Sequence, residues 1–570
     1  MNNRNVVSFL RGLVGLISVC VIITTALGQT VDGFTPTVTT ETWDGFILYT
    51  AVPLVDGEVL AGGSNATFPY GLSDFGTSLS ITNLVHLESD GAVDASFQTS
   101  DQEDGFNGDG DGYLCVAVTT NGQIIVGGEF TTLDGHGCYG LGRLNVDGSF
   151  DSTFSRCPFL HPIDCVQVQP DGKVLVCGWE TPLTRLKSDG SRDSSLLDSI
   201  SGNTGTMALQ PDGKILVGGQ FTEIDDQART NLVRLNADGS VDSSFMGHSW
   251  GAVEWAGGLT AVQALLVQPD GKILVGGNFN QVDGLVHTNI VRLNADGTVD
   301  PAFNAQLDAA GCWGVYGLAM QADGKIILGD DSATLNGMPC VAVGRLNPDG
   351  SIDQGFATNV FSRSDAEGIF SVALQPDGAL LLTGFFSTVC GQPRSGIGRL
   401  INTDAAIEGF AYDGTNLFWQ RGGTGPEVWR TTFENSVDGI AWTYLGDGTR
   451  VAGGWQLTNV FVASNSILRA RGFVTGGYRN GSSYYVESRC RLPVPKIVCN
   501  GAGFGLTNLA FGFDISGGAS TMVVVDRSTN LYNWTPVSTN TLDQKGSHFC
   551  DATTTNSGSG PQFYRLRLQP

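Results

Sequence analysis

The chain has 570 residues, 79 of them glycine and only 15% charged, with a formal net charge of −25. That length exceeds a single core, and a glycine-rich, charge-poor composition with few stretches of three-to-four apolar spacing excludes a helical bundle in favour of short strands and tight turns. Strong negative charge repels phosphate backbones and anionic lipid, which argues against nucleic acid and membrane as partners.

Residues 1–28 carry Arg4 and Arg11 ahead of an apolar run from Leu13 to Leu27, and end in the small residues Ala26 and Gly28 before Gln29. This is the layout of a signal peptide, with an apolar run short for a bilayer span, so a secreted or cell-surface protein with a soluble mature chain is expected. Loss of Arg4 and Arg11 takes the net charge from −25 to −27. Of 12 cysteines, Cys20 leaves with the signal, and the odd remainder shows no C-x-x-C metal spacing and no readable disulfide connectivity. The mature chain then spells VDGF from Val31, a shortened copy of a phrase that recurs downstream.

From about residue 44 to 403 two phrases alternate. The first is QPDGKVLVCG from Gln169, QPDGKILVGG from Gln210 and Gln268, QADGKIILGD from Gln321 and QPDGALLLTG from Gln375, with weaker copies at Val55 and Asn121. The second is HLESDGAVDASF from His86, RLNVDGSFDSTF from Arg143, RLKSDGSRDSSL from Arg185, RLNADGSVDSSF from Arg234, RLNADGTVDPAF from Arg292 and RLNPDGSIDQGF from Arg345, decaying at Arg399. Both carry tight-turn chemistry, with Pro170 presetting the first central position and Gly172 taking the left-handed one. Each period predicts strand, PDG turn, strand, loop, strand, xDG turn, strand. Seven such periods of roughly fifty residues predict an all-β, seven-bladed β-propeller of four-stranded antiparallel blades over residues 29–403.

The two phrases resemble the delta-60 repeat family of bacterial β-propellers. That resemblance implies the fold and a secreted or surface location, and no activity that could be carried to residues here.

The xDG register sets Arg143 opposite Asp151, Arg185 opposite Asp193, Arg234 opposite Asp242, Arg292 opposite Asp300, Arg345 opposite Asp353 and His86 opposite Asp94. Opposed unlike charges stabilise a strand pair by about 0.2–1 kcal/mol, so these pairs are expected to staple blades rather than bind anions. The seventh copy offers Ile407 where Arg399 needs a carboxylate. Val31–Phe34 is therefore expected to supply the outer strand of blade seven, with Asp32 facing Arg399 and Phe34 one residue early. In the first hairpin of the third repeat Cys165 falls opposite Cys177, expected as two buried thiols with a cross-strand disulfide as the alternative.

Both tight turns share one face of such a ring, which leaves the variable connections on the other, the default binding face. There Asn107, Asp109 and Asp111 spell the first half of a calcium loop. Val118 stands where the bidentate Glu belongs, so a solvated acidic loop is the first expectation and calcium the alternative. Trp250, Trp255 and Trp313 on neighbouring loops suit stacking on a sugar or packing. HExxH, G-x-S-x-G and Walker spellings do not occur, and no cofactor is implied.

After Asp404 the spelling changes. Ser436 precedes Trp442 as Ser528 precedes Trp534, and each copy ends in an Arg-alternating strand, ILRARG from Ile467 and FYRLR from Phe563. Two Ig- or fibronectin-like modules are expected, 404–490 and 497–570, joined by Leu492–Lys496. The leading expectation is a non-catalytic extracellular binding or adhesion protein with a glycan or protein partner. A secreted polysaccharide-acting enzyme with its site on the loop face is the alternative.

Overall fold

The computed structural model describes residues 32–36, 47–72, 78–97, 114–155, 162–178, 180–196, 203–224, 227–251, 260–305, 307, 314–330, 334–335, 338–339, 342–356, 366–402, 404–413, 415–462, 466–492, 496–499, 504–507, 510–517, 522–543, 545–551 and 562–568. The expected signal peptide 1–28, Val31, Asn107, Asp109, Asp111, Trp255, Trp313 and most of the 492–496 linker lie outside these residues. Among the described residues no helix is long and apolar enough to cross a membrane.

The repeated phrases build one unit again and again: three antiparallel strands in the spatial order of the chain. In the fourth repeat these are Asn203–Leu209, Ile215–Gln220 and Leu232–Leu235, and in the fifth Ala261–Val267, Ile273–Asn278 and Ile290–Leu293. The same pattern begins at Ile47–Pro53, Leu114–Val118, Cys165–Val168, Val315–Met320 and Ala366–Leu374. These innermost strands are neighbours in chain order, and Ala366–Leu374 lies beside Ile47–Pro53, so the array closes into a ring. At that closure Tyr49 stacks on Phe370 with centroids 5.8 Å apart, and Gln375 Nε2 donates to Gly57 O at 3.3 Å.

Apolar clusters lie between consecutive units, as where Leu175 and Cys177 meet Met207 and Val217, or Leu274 meets Leu318 and Leu328. Each sheet is therefore covered on both faces, which is why the second strand reads as an unbroken apolar run such as ILVGG. The turns behave as their residues dictate: Gly172 and Gly239 adopt φ of 80° and 91°, where a Cβ would be strained.

The expected fourth strand is not a strand. It is reduced to a single bridge, Leu235↔Val241 in the fourth unit and Leu293↔Val299 in the fifth. The cause is the aspartate that follows. Asp242 N still donates to Arg234 O at 2.9 Å, but Asp242 Oδ1 accepts from Ser244 N at 3.0 Å and Phe245 N donates back to Asp242 O at 3.2 Å, so the chain curls into a turn.

Residues 404–492 form two sheets. One contains Ala406–Tyr412, Leu417–Gly423, Gly454–Leu457 and Thr449–Val451; the other contains Thr443–Asp447, Arg430–Ser436, Ile467–Gly476 and Ser482–Arg491. Phe410, Trp419, Phe433, Leu468 and Ala470 belong to the same buried cluster as Leu60, Leu87 and Val116 of the ring. This segment thus shares its core with the ring. Its second sheet even continues into the second unit, through parallel pairing of Ser483 with Ala117.

Residues 496–568 form two further small sheets that enclose Phe513, Ile515, Val523, Val525 and Phe549. The two segments share one local turn geometry. Ser436 Oγ accepts from Gly439 N and Ser528 Oγ from Leu531 N, both at 2.9 Å, and Arg469 and Arg565 lie 3.7 and 4.4 Å over the rings of Trp442 and Trp534.

Candidate functional site

The charged residues of the repeats are bound to one another. Arg234 Nε donates to Asp242 Oδ2 at 2.7 Å, Lys214 Nζ reaches the same oxygen at 2.8 Å, and the guanidinium lies 4.6 Å over Phe245. Arg143 with Asp151, Arg185 with Asp193, Arg292 with Asp300 and Arg345 with Asp353 pair at 2.7 to 2.9 Å, and His86 meets Asp94 at 2.8 Å. Burial raises the Asp300 pKa, but bonds from Lys272, the Ala302 amide and Arg292 outweigh it and hold the carboxyl down at about 2.

Each arginine also does something the register alone did not predict. Its NH1 crosses to the xDG turn of the next unit, Arg143 to Ser188 O, Arg185 to Ala237 O, Arg234 to Ala295 O and Arg292 to Pro348 O, while Arg345 reaches the Asn402 side chain at the same position of the decayed seventh copy. Arg399 continues the series across the closure, to Ser89 O of the first unit at 2.8 Å. Asp32 stands in the place of the missing carboxylate, 2.6 Å from Arg399 Nε. The described part of this segment is a turn rather than a strand, with Phe34 N donating to Asp32 Oδ1 at 2.9 Å. Phe34 is fully buried, and although one residue early its ring lies 4.7 Å from the Arg399 guanidinium carbon.

The axis of the ring is filled. The hairpin of Ile467–Gly476 and Ser482–Arg491 enters from the tight-turn face, where Arg471 NH1 donates to Thr120 O at 2.7 Å. Deeper in, Tyr484 OH donates to Leu374 O at 3.1 Å, Ser482 Oγ accepts from Val116 N at 3.0 Å and lies 3.2 Å from Thr50 Oγ1, and Val166 N donates to Gly481 O at 2.8 Å. At the tip Asn480 is fully buried, its Oδ1 accepting from Leu318 N at 2.8 Å and its Nδ2 donating to Leu318 O at 2.7 Å. Arg479 follows at 3.5 Å from Asp164, which precedes the innermost strand of the third unit and so marks the loop face. Nothing in the repeat phrases signals this insertion; the local sign is Gly477, Arg479 and Asn480, all at positive φ.

On the loop face, among the described residues, five units carry a two-residue-per-strand hairpin between their second and third strands, at Thr132–Leu133, Glu223–Ile224, Gln281–Val282, Thr334–Leu335 and Thr388–Val389 with their partners. Sequence reading missed these, although the Asp-Gly of Asp134 and Asp283 spells their turns. In the fifth unit Trp250 pairs with Val282 and extends that hairpin. Trp250 Nε1 donates to Thr230 O at 2.7 Å and its ring meets His248 and Phe279 edge to face, so part of the side chain is spent on packing. His248 Nδ1 lies 2.8 Å from Asp283, while Leu285 and Val286 at the hairpin end are 57% and 62% exposed.

Among the described residues, two cavities lie between the ring and residues 404–492. The smaller, 30 Å³, is lined by Glu427, Met320 and Tyr484. Burial pushes the Glu427 carboxyl up even though Arg450 bonds it, but the space holds little more than water. The larger is a cleft of 270 Å³ between the tight turns of the second and third units, roofed by Trp429, Arg430 and Phe473. Among the described residues no group of three His, Cys, Asp or Glu side chains could hold a metal.

Five stretches, residues 119–154, 169–196, 210–245, 268–303 and 321–356, match the family described as Domain of unknown function (DUF5122) beta-propeller. No curated protein matches the chain. Four of the stretches end on the phenylalanine that lies against the repeat arginine, Phe154, Phe245, Phe303 and Phe356. Residues 119–356 are thus DUF5122 β-propeller repeats.

Proposed function

We propose that this chain is a secreted or cell-surface, non-catalytic binding or adhesion protein: a seven-bladed propeller of the delta-60 type, followed by Ig- or fibronectin-like modules, that meets an extracellular glycan or protein with its loop face. The observation that carries the reading is the inserted hairpin. It enters from the tight-turn face and fills the axis, so a large partner has the variable connections of the loop face to meet. The exposed Leu285 and Val286 beside Trp250 supply apolar contact area there. Seven repeated three-stranded units in cyclic order support the blade count, and the paired Ser-to-Trp turns support two related modules.

The test is a glycan and protein binding screen on the mature chain, run with and without calcium, in parallel with the double variant Leu285→Asp, Val286→Asp. Saturable binding abolished by the variant is expected. Turnover of any polysaccharide in the screen would move the protein to the rival class of secreted polysaccharide-acting enzymes.

A further inference from the structure

The 270 Å³ cleft is a second place where a ligand can sit, on the side of the ring away from the loop face. Its size is at the small end of ligand sites, about 300–1,000 Å³ for drug-sized molecules, so its occupant is small. Its chemistry is more specific than its size. One wall is the turn at Asn121, the other is Gln167, Gln169 and Pro170, the roof is Trp429 and Phe473, and Ser483 of the inserted hairpin lies at the back.

Charge excludes one class of occupant. The charged residues on the lining are Arg143 and Arg430, and both are already matched: Arg143 is held by Asp151, Ser188 O and Thr153, and Arg430 bonds Asp447 through Nε at 3.1 Å and NH2 at 2.9 Å. Every other lining side chain is neutral at pH 7, so neither an anion nor a cation finds a counter-charge.

Two lining atoms, Gln169 Oε1 and Ser483 Oγ, are buried and have no hydrogen-bond partner. The same glutamine oxygen is left over in the other full copies, at Gln210, Gln268, Gln321 and Gln375, but of these five glutamines only Gln169 borders the cleft. A buried acceptor calls for a donor, and an amide- and hydroxyl-lined space beneath an indole calls for a ligand with several hydroxyls and an apolar face.

From this we infer that the cleft binds a neutral monosaccharide or the terminal neutral sugar of a glycan, with the Gln169 and Ser483 side chains turning their covered, unpartnered oxygens toward its hydroxyls and the sugar ring against Trp429. The site does not depend on the loop-face reading, and either can fail alone.

The experiment is saturation-transfer NMR on the full mature chain with glucose, galactose, mannose and N-acetylglucosamine, and with galacturonate and glucosamine as charged probes. At least one neutral sugar should bind saturably, and Gln169→Leu and Trp429→Ala should each weaken it at least tenfold. Gln210→Leu, the same repeat position away from the cleft, should leave binding unchanged, and the loop-face variant Leu285→Asp, Val286→Asp should do the same. Thermal melting of each variant separates loss of the site from loss of the fold, with Ser483→Ala as the milder substitution if either larger change unfolds the chain. The inference is overturned if no neutral sugar binds, if a charged probe binds in preference, or if Gln210→Leu matches Gln169→Leu. Binding abolished by the loop-face variant and untouched by Gln169→Leu would overturn it too, while leaving the loop-face reading standing.

Discussion

Arg399 and Asp32 are 367 positions apart in the chain and 2.6 Å apart in space. The Arg399 side chain is 13% exposed, so the carboxylate cannot be replaced by bulk water, and Phe34 beneath it is fully buried. Asp32→Ala should cost about 1.5–3 kcal/mol, the range for a hydrogen bond to a charged group. Phe34→Ala should cost about 3–5 kcal/mol, as for other buried aromatics. Both are read by urea unfolding of the mature chain. Deleting residues 29–40 should destabilise the whole ring, and a truncated protein that melts like its parent would falsify the closure.

The joint between the first and second units lacks the arginine that links the others. His86, in the arginine position, bonds Asp94 and approaches Glu58 at 3.1 Å, and the turn residue it would have to reach, Val146, is 66% exposed. Ser482 of the hairpin spans this same joint, touching Thr50 on one side and Val116 on the other. His86→Arg should therefore stabilise by about 0.5–2 kcal/mol, as substitutions toward a repeat consensus do. Ser482→Ala should destabilise by about 1–3 kcal/mol. The two should couple, with the serine mattering less in the arginine background; strict additivity in a double-mutant cycle would show that they do not share the joint.

Acid should loosen the ring late. Asp300 has a folded pKa of about 2, and Asp151, Asp242 and Asp353 are also lowered, burial raising each while lysine, arginine, hydroxyl or amide donors prevail. A depressed carboxylate contributes stability that is fully present above its unfolded pKa of about 3.9 and lost as pH falls through the folded value. The stability gap between the parent and Asp300→Asn should be constant above pH of about 5 and shrink between about 4 and 2. A gap that stays constant to the lowest pH measured would remove this linkage.

Cys165 and Cys177 pair across adjacent strands as free, fully buried thiols. The neighbouring Cys165 thiol and burial push Cys177 well above its ordinary value, which makes it a poor nucleophile. Alkylation of the native protein should spare both, and alkylation after unfolding should label both. Recovery of a peptide pair crosslinked through these two residues would contradict the expectation.

The register of the repeats was legible because a period of two and a turn with a fixed glycine leave one way to set Arg234 against Asp242. The reach of the same guanidinium to Ala295 O was not, because it depends on how far apart consecutive units stand, which no pair of neighbouring strands encodes. The shortened outer strand was hidden for a local reason. VDSSF alternates like a strand, but the aspartate's affinity for the amide two residues on turns the chain. The inserted hairpin was the largest omission, since SSYYVESR alternates as any antiparallel strand does and says nothing of whether its face meets a second sheet or the inside of a ring. The cleft was out of reach for the same reason, as its walls and roof come from segments some three hundred residues apart.

The two contacts that complete the ring set an order on its making. Asp32 has no counter-charge until Arg399 exists, and Thr50 Oγ1 and Val116 N cannot meet the Ser482 hydroxyl until that residue is made. A chain produced from its amino end at about 5–20 residues per second must therefore hold its first strands unfinished for tens of seconds. Over that interval the unpaired edges and the open axis are exposed to every other nascent copy, so yield of the folded protein should fall with synthesis rate more steeply than its final stability would suggest.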